Sequence, residues 1–278
     1  MGDFWYYLQN SDFVLFILCI NGFFIGSFLN VLTIRLPIIN KMADHCAVNA
    51  YIEKFDFSLK GLNETLPATI WGRSICPNCG EQIPFYYNIP IIGYLILNGR
   101  SSCCDYRIPL SYFLSELFIG VVTTSILLYF GISVFSLLWL WSFYLCYLIA
   151  IIDVKTLLIY DTLNYLLMWS GLLISALNIG FIPTESAIFG AIGAYIGIYV
   201  FNGLFKLSRG KEGIGHGDFK LLAAFGAWLG ITSIPFILLS GSLIAILYYP
   251  FFKKINDGYF AFGPALCFGF LGYFIFKM

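Results

Sequence analysis

Apolar runs at 13–34, 110–130, 133–152, 159–181, 184–205, 218–231, 234–251 and 259–276 set the limits on this chain. Several reach the ~20 residues that a helix needs to cross the hydrocarbon core of a bilayer. A segment in lipid must satisfy its own backbone, and a helix does so without partners. The runs therefore predict an all-α polytopic membrane protein with about eight transmembrane helices. Composition agrees: 60% of the residues are hydrophobic and 11% charged, where soluble domains carry about 25% charged residues. The formal net charge is zero, so the basic footprint of a nucleic-acid binder is missing. The first run has no basic residue before it and no small-residue cleavage site after it. It is also too long for a signal-peptide core, so it reads as a retained helix. The sixth run is short, and its boundary with the seventh near Pro235 is blurred.

The connections are tight except for one polar insert of about 70 residues between the first and second runs. The expected organisation is a first transmembrane helix at 1–35, an insert at 36–109 and a transmembrane domain at 110–278. Basic residues favour the cytoplasmic side. With the N-terminus outside, Arg35, Lys41, Lys54, Lys60, Arg73, Arg100 and Arg107 all lie inside with the insert. Lys155, then Lys206, Arg209, Lys211 and Lys220, then Lys253 and Lys254 fall at the later inside turns. Only Lys277 remains outside, so fourteen of the fifteen basic residues are cytoplasmic. The expectation is a multi-pass protein with its N-terminus periplasmic and its long loop cytoplasmic.

Carboxylates in or beside a span are costly and tend to be functional. Four stand out: Glu116, Asp153, Asp161 and Asp218. Glu116 reads equally well as the partner of a basic neighbour, and Asp161 as an ordinary helix N-cap. Asp153 closes the third run in "YLIAIIDVKTLLIYD", and Asp218 opens the sixth in "GIGHGDFKLLAAFG". Both fall at the cytoplasmic interface. Asp153 and Asp161 would be ~12 Å apart if helical throughout, too far to share a proton. Asp153 and Asp218 belong to different helices, so packing can join them. Two carboxylates ~4 Å apart repel by about 4 kcal/mol at an effective dielectric near 20. That is enough to keep one protonated while the other ionises. Such a pair activates water with one member and protonates a scissile carbonyl with the other. Gly213, Gly215 and Gly217 would let the loop before Asp218 turn sharply and admit an extended peptide. Glycine turns and acidic first turns are also common at helix starts, so both readings stand at this point.

These stretches together resemble the type IV prepilin peptidases, a family of bifunctional leader peptidases and N-methyltransferases. "GIGHGDFKLLAAFGAWLG" (213–230) resembles its G-x-G-D signature. "GSFLNVLTIRLP" (26–37) is similar to its first-helix exit, and "CPNCGEQIPFYYNIPIIGYLILNGR" (76–100) to its cysteine-bearing loop. "IDVKTLLIYDTLN" (152–164) resembles the segment of its first catalytic aspartate, and "FAFGPALCFG" (260–269) its last-helix motif. The resemblance implies Asp153 and Asp218 as the catalytic pair, with Gly215, Gly217 and Asp161 as support for substrate or turn. It implies a bacterial inner-membrane enzyme that removes a short basic leader from type IV prepilin or pseudopilin precursors. It further implies methylation of the new N-terminus with S-adenosylmethionine, associated with the insert and Gly99. One departure is Tyr160, where the family commonly has proline.

The resemblance also bears on the cysteines. Cys19, Cys146 and Cys267 lie in apolar runs and read as packing residues. A reducing cytoplasm disfavours disulfides, so the C-x-x-C at Cys76 and Cys79 reads as half of a metal site. The family completes it with a second C-x-x-C. In "GRSSCCDYR" Ser101 stands at the first position of that pair, and Cys103 has moved beside Cys104. The expected ligands are Cys76, Cys79, Cys103 and Cys104 around a structural zinc, with Cys46 or His45 as alternatives. Free thiols in a self-packed loop are the other reading. His216, inside the glycine turn, reads as a variable or substrate-touching position rather than a base. A proton- or ion-coupled transporter is the competing class for intramembrane acids. No internal repeat supports it, the acids gather on one face, and transport has no use for a cysteine-rich insert.

Overall fold

The computed structural model describes residues 12–43, 74–76, 78–210, 213–252 and 260–277. Cys46 and His45, the alternative ligands, lie outside the described residues. Nine α-helices occur among the described residues: α1 Asp12–Ala43, α2 Ile92–Ile96, α3 Leu110–Phe130, α4 Val134–Thr156, α5 Asp161–Ala176, α6 Thr184–Arg209, α7 His216–Leu229, α8 Ile234–Phe252 and α9 Gly263–Phe276. Eight of them occupy the eight apolar runs; the ninth, α2, is one short turn in the insert. Phe16–Asn40, Leu110–Phe130, Val134–Thr156, Thr184–Arg209 and Ile231–Tyr249 are long and apolar enough to cross a membrane. The 14 residues of α7 and of α9 give each a length of only ~21 Å at 1.5 Å per residue.

The chain divides into two compact units, 1–136 and 137–278. In the first, α3 packs along α1. The first helix runs on to Ala43 through Pro37, past the expected exit near 34. Apolarity ends at the membrane edge, whereas helix formation needs only a continuing hydrogen-bond ladder, so the two boundaries differ.

In the second unit α7 is the axis, packed by α5, α6 and α9. Leu221 to Leu229 are all buried. A helix that is apolar on every side belongs inside a bundle, and this explains why the sixth run is short. Gly190 of α6 and Gly226 of α7 meet backbone to backbone, and a Cβ on either would overlap the other's main chain. Such small-residue crossings let helices approach closely where lipid removes the hydrophobic drive to associate. The Phe225 and Phe270 rings stack at 4.3 Å and fix α7 to α9. The Trp228 indole N–H donates to the Leu167 carbonyl at 2.8 Å and fixes α7 to α5.

Candidate functional site

Asp153 lies in the last turn of α4 and is buried, 4% exposed. The helix ends three residues later because Leu157 takes a left-handed conformation, φ 56°, and donates its N–H to the Asp153 carbonyl. This turn aims the chain back toward α5. The Asp153 carboxylate accepts the Gly263 N–H at 2.9 Å. Gly263 is the first residue of α9, whose first turn has unsatisfied N–H groups.

Asp218 is the third residue of α7, after the N-cap Gly215. Its carboxylate reaches back to the Gly215 N–H, and its own N–H donates to the Gly215 carbonyl at 3.1 Å. This is one half of a capping box, the acidic third residue reaching back to the N-cap N–H; Gly215 has no side chain to supply the other half. Each carboxylate therefore takes a backbone N–H at the start of a helix, where the macrodipole favours negative charge. The Asp153 charge acts directly on Asp218, so the two helix ends converge on one pair. Ile159 packs between them: a Cβ on Gly217 would lie 3.0 Å from Ile159 Cβ, and one on Gly263 3.2 Å from Ile159 Cδ1. The Tyr248 hydroxyl feels both carboxylates and donates to the Ala261 carbonyl at 2.5 Å, just before Gly263.

The remaining acids have separate places. Asp161 opens α5 and forms a two-oxygen ion pair with Lys220 at 2.7 and 2.6 Å. Tyr160, at φ −75° and ψ 133°, occupies a conformation open to proline, so its presence leaves that turn unchanged. Among the described residues Glu116 forms no ion pair with a basic neighbour, one of its two readings. Its carboxylate accepts the Ile91 N–H at 2.9 Å. Ile91 sits at φ 63°, a rare state for a β-branched residue, and the carboxylate holds that turn. Gly213, Gly215 and Gly217 show no positive φ. Gly213 and Gly217 instead give closeness, against the Phe205 ring and Ile159. His216 is exposed and meets the Phe219 ring edge-on at 5.2 Å.

The first unit holds the thiols. Two tight hairpins carry them. One is closed by Ile83 N–H to the Ser74 carbonyl and Cys76 N–H to the Glu81 carbonyl; the other by Ser101 N–H to the Tyr106 carbonyl and Ile108 N–H to the Gly99 carbonyl. Cys76, Cys79, Cys103 and Cys104 place one sulfur each within 4.8 Å of the others. Individual Sγ separations are 3.5 Å for Cys76–Cys104, 3.1 Å for Cys79–Cys103 and 3.9 Å for Cys103–Cys104. Four thiolates bound at about 2.3 Å around a tetrahedral metal stand ~3.8 Å apart, so this donor set fits one ion. The adjacent cysteines both reach the cluster, and the Ser101 hydroxyl lies 2.8 Å from Cys103 Sγ and 3.4 Å from Cys76 Sγ. Burial opposes charge on Cys76, but hydrogen bonds from Ser101 and from the Cys79 and Asn78 backbone outweigh it and lower its pKa to about 6. The hydrogen bond with Cys103 leads in pushing Cys79 up to about 12. The Asn78 amide leads in holding Cys104 below its usual value.

The sequence reading missed Gly263, Tyr248, Asn164 and Asn202. The "FAFGPALCFG" motif pointed at the first of these without revealing its bond to Asp153. The polar residues inside the runs at 159–181 and 184–205 were the available signal for the asparagines.

Helices of this length and apolarity, with a buried Asp153 and a half-buried Asp218 each held at a helix N-terminus, define a multi-pass membrane protein with a candidate acid–base pair. Residues 20–130 match the Bacterial Peptidase A24 N-terminal domain, and residues 137–249 match the Type IV leader peptidase family. The chain belongs to that family, whose members place it in the bacterial inner membrane. It is 33% identical over 265 residues to the prepilin leader peptidase/N-methyltransferase of Neisseria gonorrhoeae, covering 92% of this chain and 88% of that one. It is 36% identical to the protein of that name from Legionella pneumophila, with 87% and 84% covered. For the Klebsiella pneumoniae protein of that name the identity is 38%, with 81% and 89% covered. No solved structure matches the chain.

Proposed function

We propose that this chain is a prepilin leader peptidase and N-methyltransferase in which Asp153 and Asp218 form the hydrolytic pair. The observation that carries the proposal is that backbone N–H groups at the starts of α7 and α9 hold the two carboxylates, with the Asp153 charge reaching Asp218. Each has one oxygen engaged by a backbone N–H, which leaves the other for substrate and water. One carboxylate takes a proton from water as the oxygen attacks the scissile carbonyl carbon. The other donates its proton to the carbonyl oxygen. The C–N bond of the resulting gem-diol then breaks: one of its hydroxyls returns a proton to the second carboxylate as the carbonyl re-forms, and the proton gained by the first carboxylate passes to the departing amine. Both groups end where they began. The same pair would also serve a proton relay, but the family membership does not support a transporter.

The substrates in this reading are type IV prepilin or pseudopilin precursors. Their short basic leader would meet the pair at the cytoplasmic face, with the N-terminus of this chain periplasmic and the insert cytoplasmic. The distribution of basic residues supports that orientation. The methyl donor is S-adenosylmethionine, whose sulfonium supplies an electrophilic methyl group. We assign methyl transfer to the insert with Gly99. That residue turns at φ 70°, where any side chain is strained, and a Cβ there would lie 2.7 Å from the Tyr94 hydroxyl and push that ring aside. We assign zinc to the four thiols of Cys76, Cys79, Cys103 and Cys104, as a structural ion that staples two hairpins. An all-thiolate site keeps no open position for water.

The test is to mix the purified protein, a full-length prepilin and methyl-labelled S-adenosylmethionine, scoring leader cleavage and label incorporation separately. Cleavage lost in both Asp153→Asn and Asp218→Asn, with normal folded yield, is the expected result. Normal processing by either variant removes that residue from the pair.

A further inference from the structure

Gly213, Ile214 and Gly215 lead into α7 and deliver Asp218 in its first turn. Asp218 acts on Asp153 only if this loop is held in place, and two buried amides hold it. Asn202, on α6 and 6% exposed, accepts the Gly213 N–H at 2.9 Å and the Ile214 N–H at 3.2 Å with a single side-chain oxygen. Asn164, on α5 and 1% exposed, donates to the Gly217 carbonyl at 3.4 Å. One asparagine thus grips the residues leading into α7 and the other the first turn of α7, next to Asp218. They come from different helices, so the loop is referenced to α5 and α6 together.

We propose that Asn202 and Asn164 are positioning residues for leader cleavage, clamping the glycine loop so that Asp218 meets Asp153. The proposal rests on the reading of Asp153 and Asp218 as the hydrolytic pair. Asn164 provides the sharper argument. Among the described residues its side chain makes one hydrogen bond, to Gly217, and its buried Oδ1 has no hydrogen-bond partner. A buried acceptor left unpaired weakens a fold, and replacing it with an apolar group of similar size removes that penalty. On stability alone leucine would be the better residue at this position. Asparagine there is explained by what it does to the loop.

A purely structural role and a positioning role therefore separate. The experiment uses the full-length protein in lipid nanodiscs with a purified full-length prepilin. It measures kcat, KM and the pH profile of cleavage, together with Tm, for Asn164→Leu, Asn202→Leu, Asn202→Asp and Asp218→Asn. A misplacement of about 1 Å at a reacting group lowers rate by about 100-fold. The expected result is a fall in kcat of about 10- to 100-fold in both leucine variants, with KM within about twofold. The Tm of Asn164→Leu should be unchanged or higher. The pH profile should shift in both leucine variants, because moving Asp218 changes its coupling to Asp153. Asn202→Asp keeps an oxygen acceptor for both N–H groups and should recover most of the rate. Wild-type kcat in the leucine variants overturns the proposal. So does a change in KM alone, or a loss of rate that follows Tm and is not recovered by Asn202→Asp. Activity in Asp218→Asn overturns the pair itself. An inactive Asp218→Asn beside fully active leucine variants overturns only the clamp.

Discussion

The thiol cluster and the carboxylate pair are both polar sites assembled from separated residues, but they are assembled differently. Each half of the thiol cluster is local. Cys76 and Cys79 share one hairpin, Cys103 and Cys104 another, and each hairpin is closed by its own backbone bonds. Only the meeting of the two hairpins is long-range. The carboxylate pair has no local half. Asp153 ends one helix, Asp218 begins another, and the donors that orient them belong to α9 and to the loop before α7. A bound ion can organise the first site, whereas helix packing must organise the second. The second unit accordingly invests its tightest crossings, Gly190 on Gly226 and Phe225 on Phe270, in the helix that carries Asp218.

The strongest way to break this comparison is to remove charge from the pair. Asp153→Asn and Asp218→Asn should each lower leader cleavage by more than about 1,000-fold, since neither amide can cycle a proton. Methylation of a mature, already processed pilin by the same variants should persist, because the insert belongs to the other unit. Parallel loss of both activities in folded protein would mean that the sites are not separable.

Next in size is the thiol cluster. Cys76→Ser should reduce bound metal from about one ion per chain to near zero, because a tetrahedral structural site needs all four ligands. Elemental analysis of purified protein checks this. Protease nicking between residues 74 and 108 should rise, and methylation should fall more than cleavage. A metal-free wild-type protein with full methylation would reject the structural ion.

The sequence displayed the eight apolar runs, the cysteine spacing and both aspartates, because each leaves a local mark: length, a C-x-x-C, or a charge at the edge of an apolar segment. It did not display what holds them. The Gly263 N–H is a backbone group and carries no sequence signature beyond its motif. Asn202 grips a loop eleven residues away, and Asn164 one fifty-three residues away. No periodicity records such distances. Glu116 is the instructive case of a visible charge with an invisible partner. A backbone N–H at Ile91, rather than a basic side chain, accounts for it.

Gly263→Ala tests the least visible of these supports. A Cβ there would lie 2.7 Å from Asp153 Oδ2 and 3.2 Å from Ile159 Cδ1, so the carboxylate must move while keeping its charge. The expected fall in kcat is about 10- to 100-fold, with little change in KM. Wild-type kcat would show that the pair tolerates reorientation of Asp153 and that the α9 N-terminus contributes only packing.

The smallest effect belongs to Asp161, which the family resemblance groups with the turn. Its pair with Lys220 has good geometry at 2.6 Å, but the side chains are 49% and 30% exposed. Exposed ion pairs contribute about 0.2–1 kcal/mol and weaken with salt. Asp161→Asn should therefore lower kcat less than about fivefold, the rate equivalent of ~1 kcal/mol. The difference from wild type should shrink further as salt is raised. A rise in KM at constant kcat would assign Asp161 to substrate binding. A fall beyond about 100-fold would bring it into the reacting group. The contrast between a pair built by packing and an acid left at the surface would then have to be redrawn, with α5 supplying a third working carboxylate beside Asp153 and Asp218.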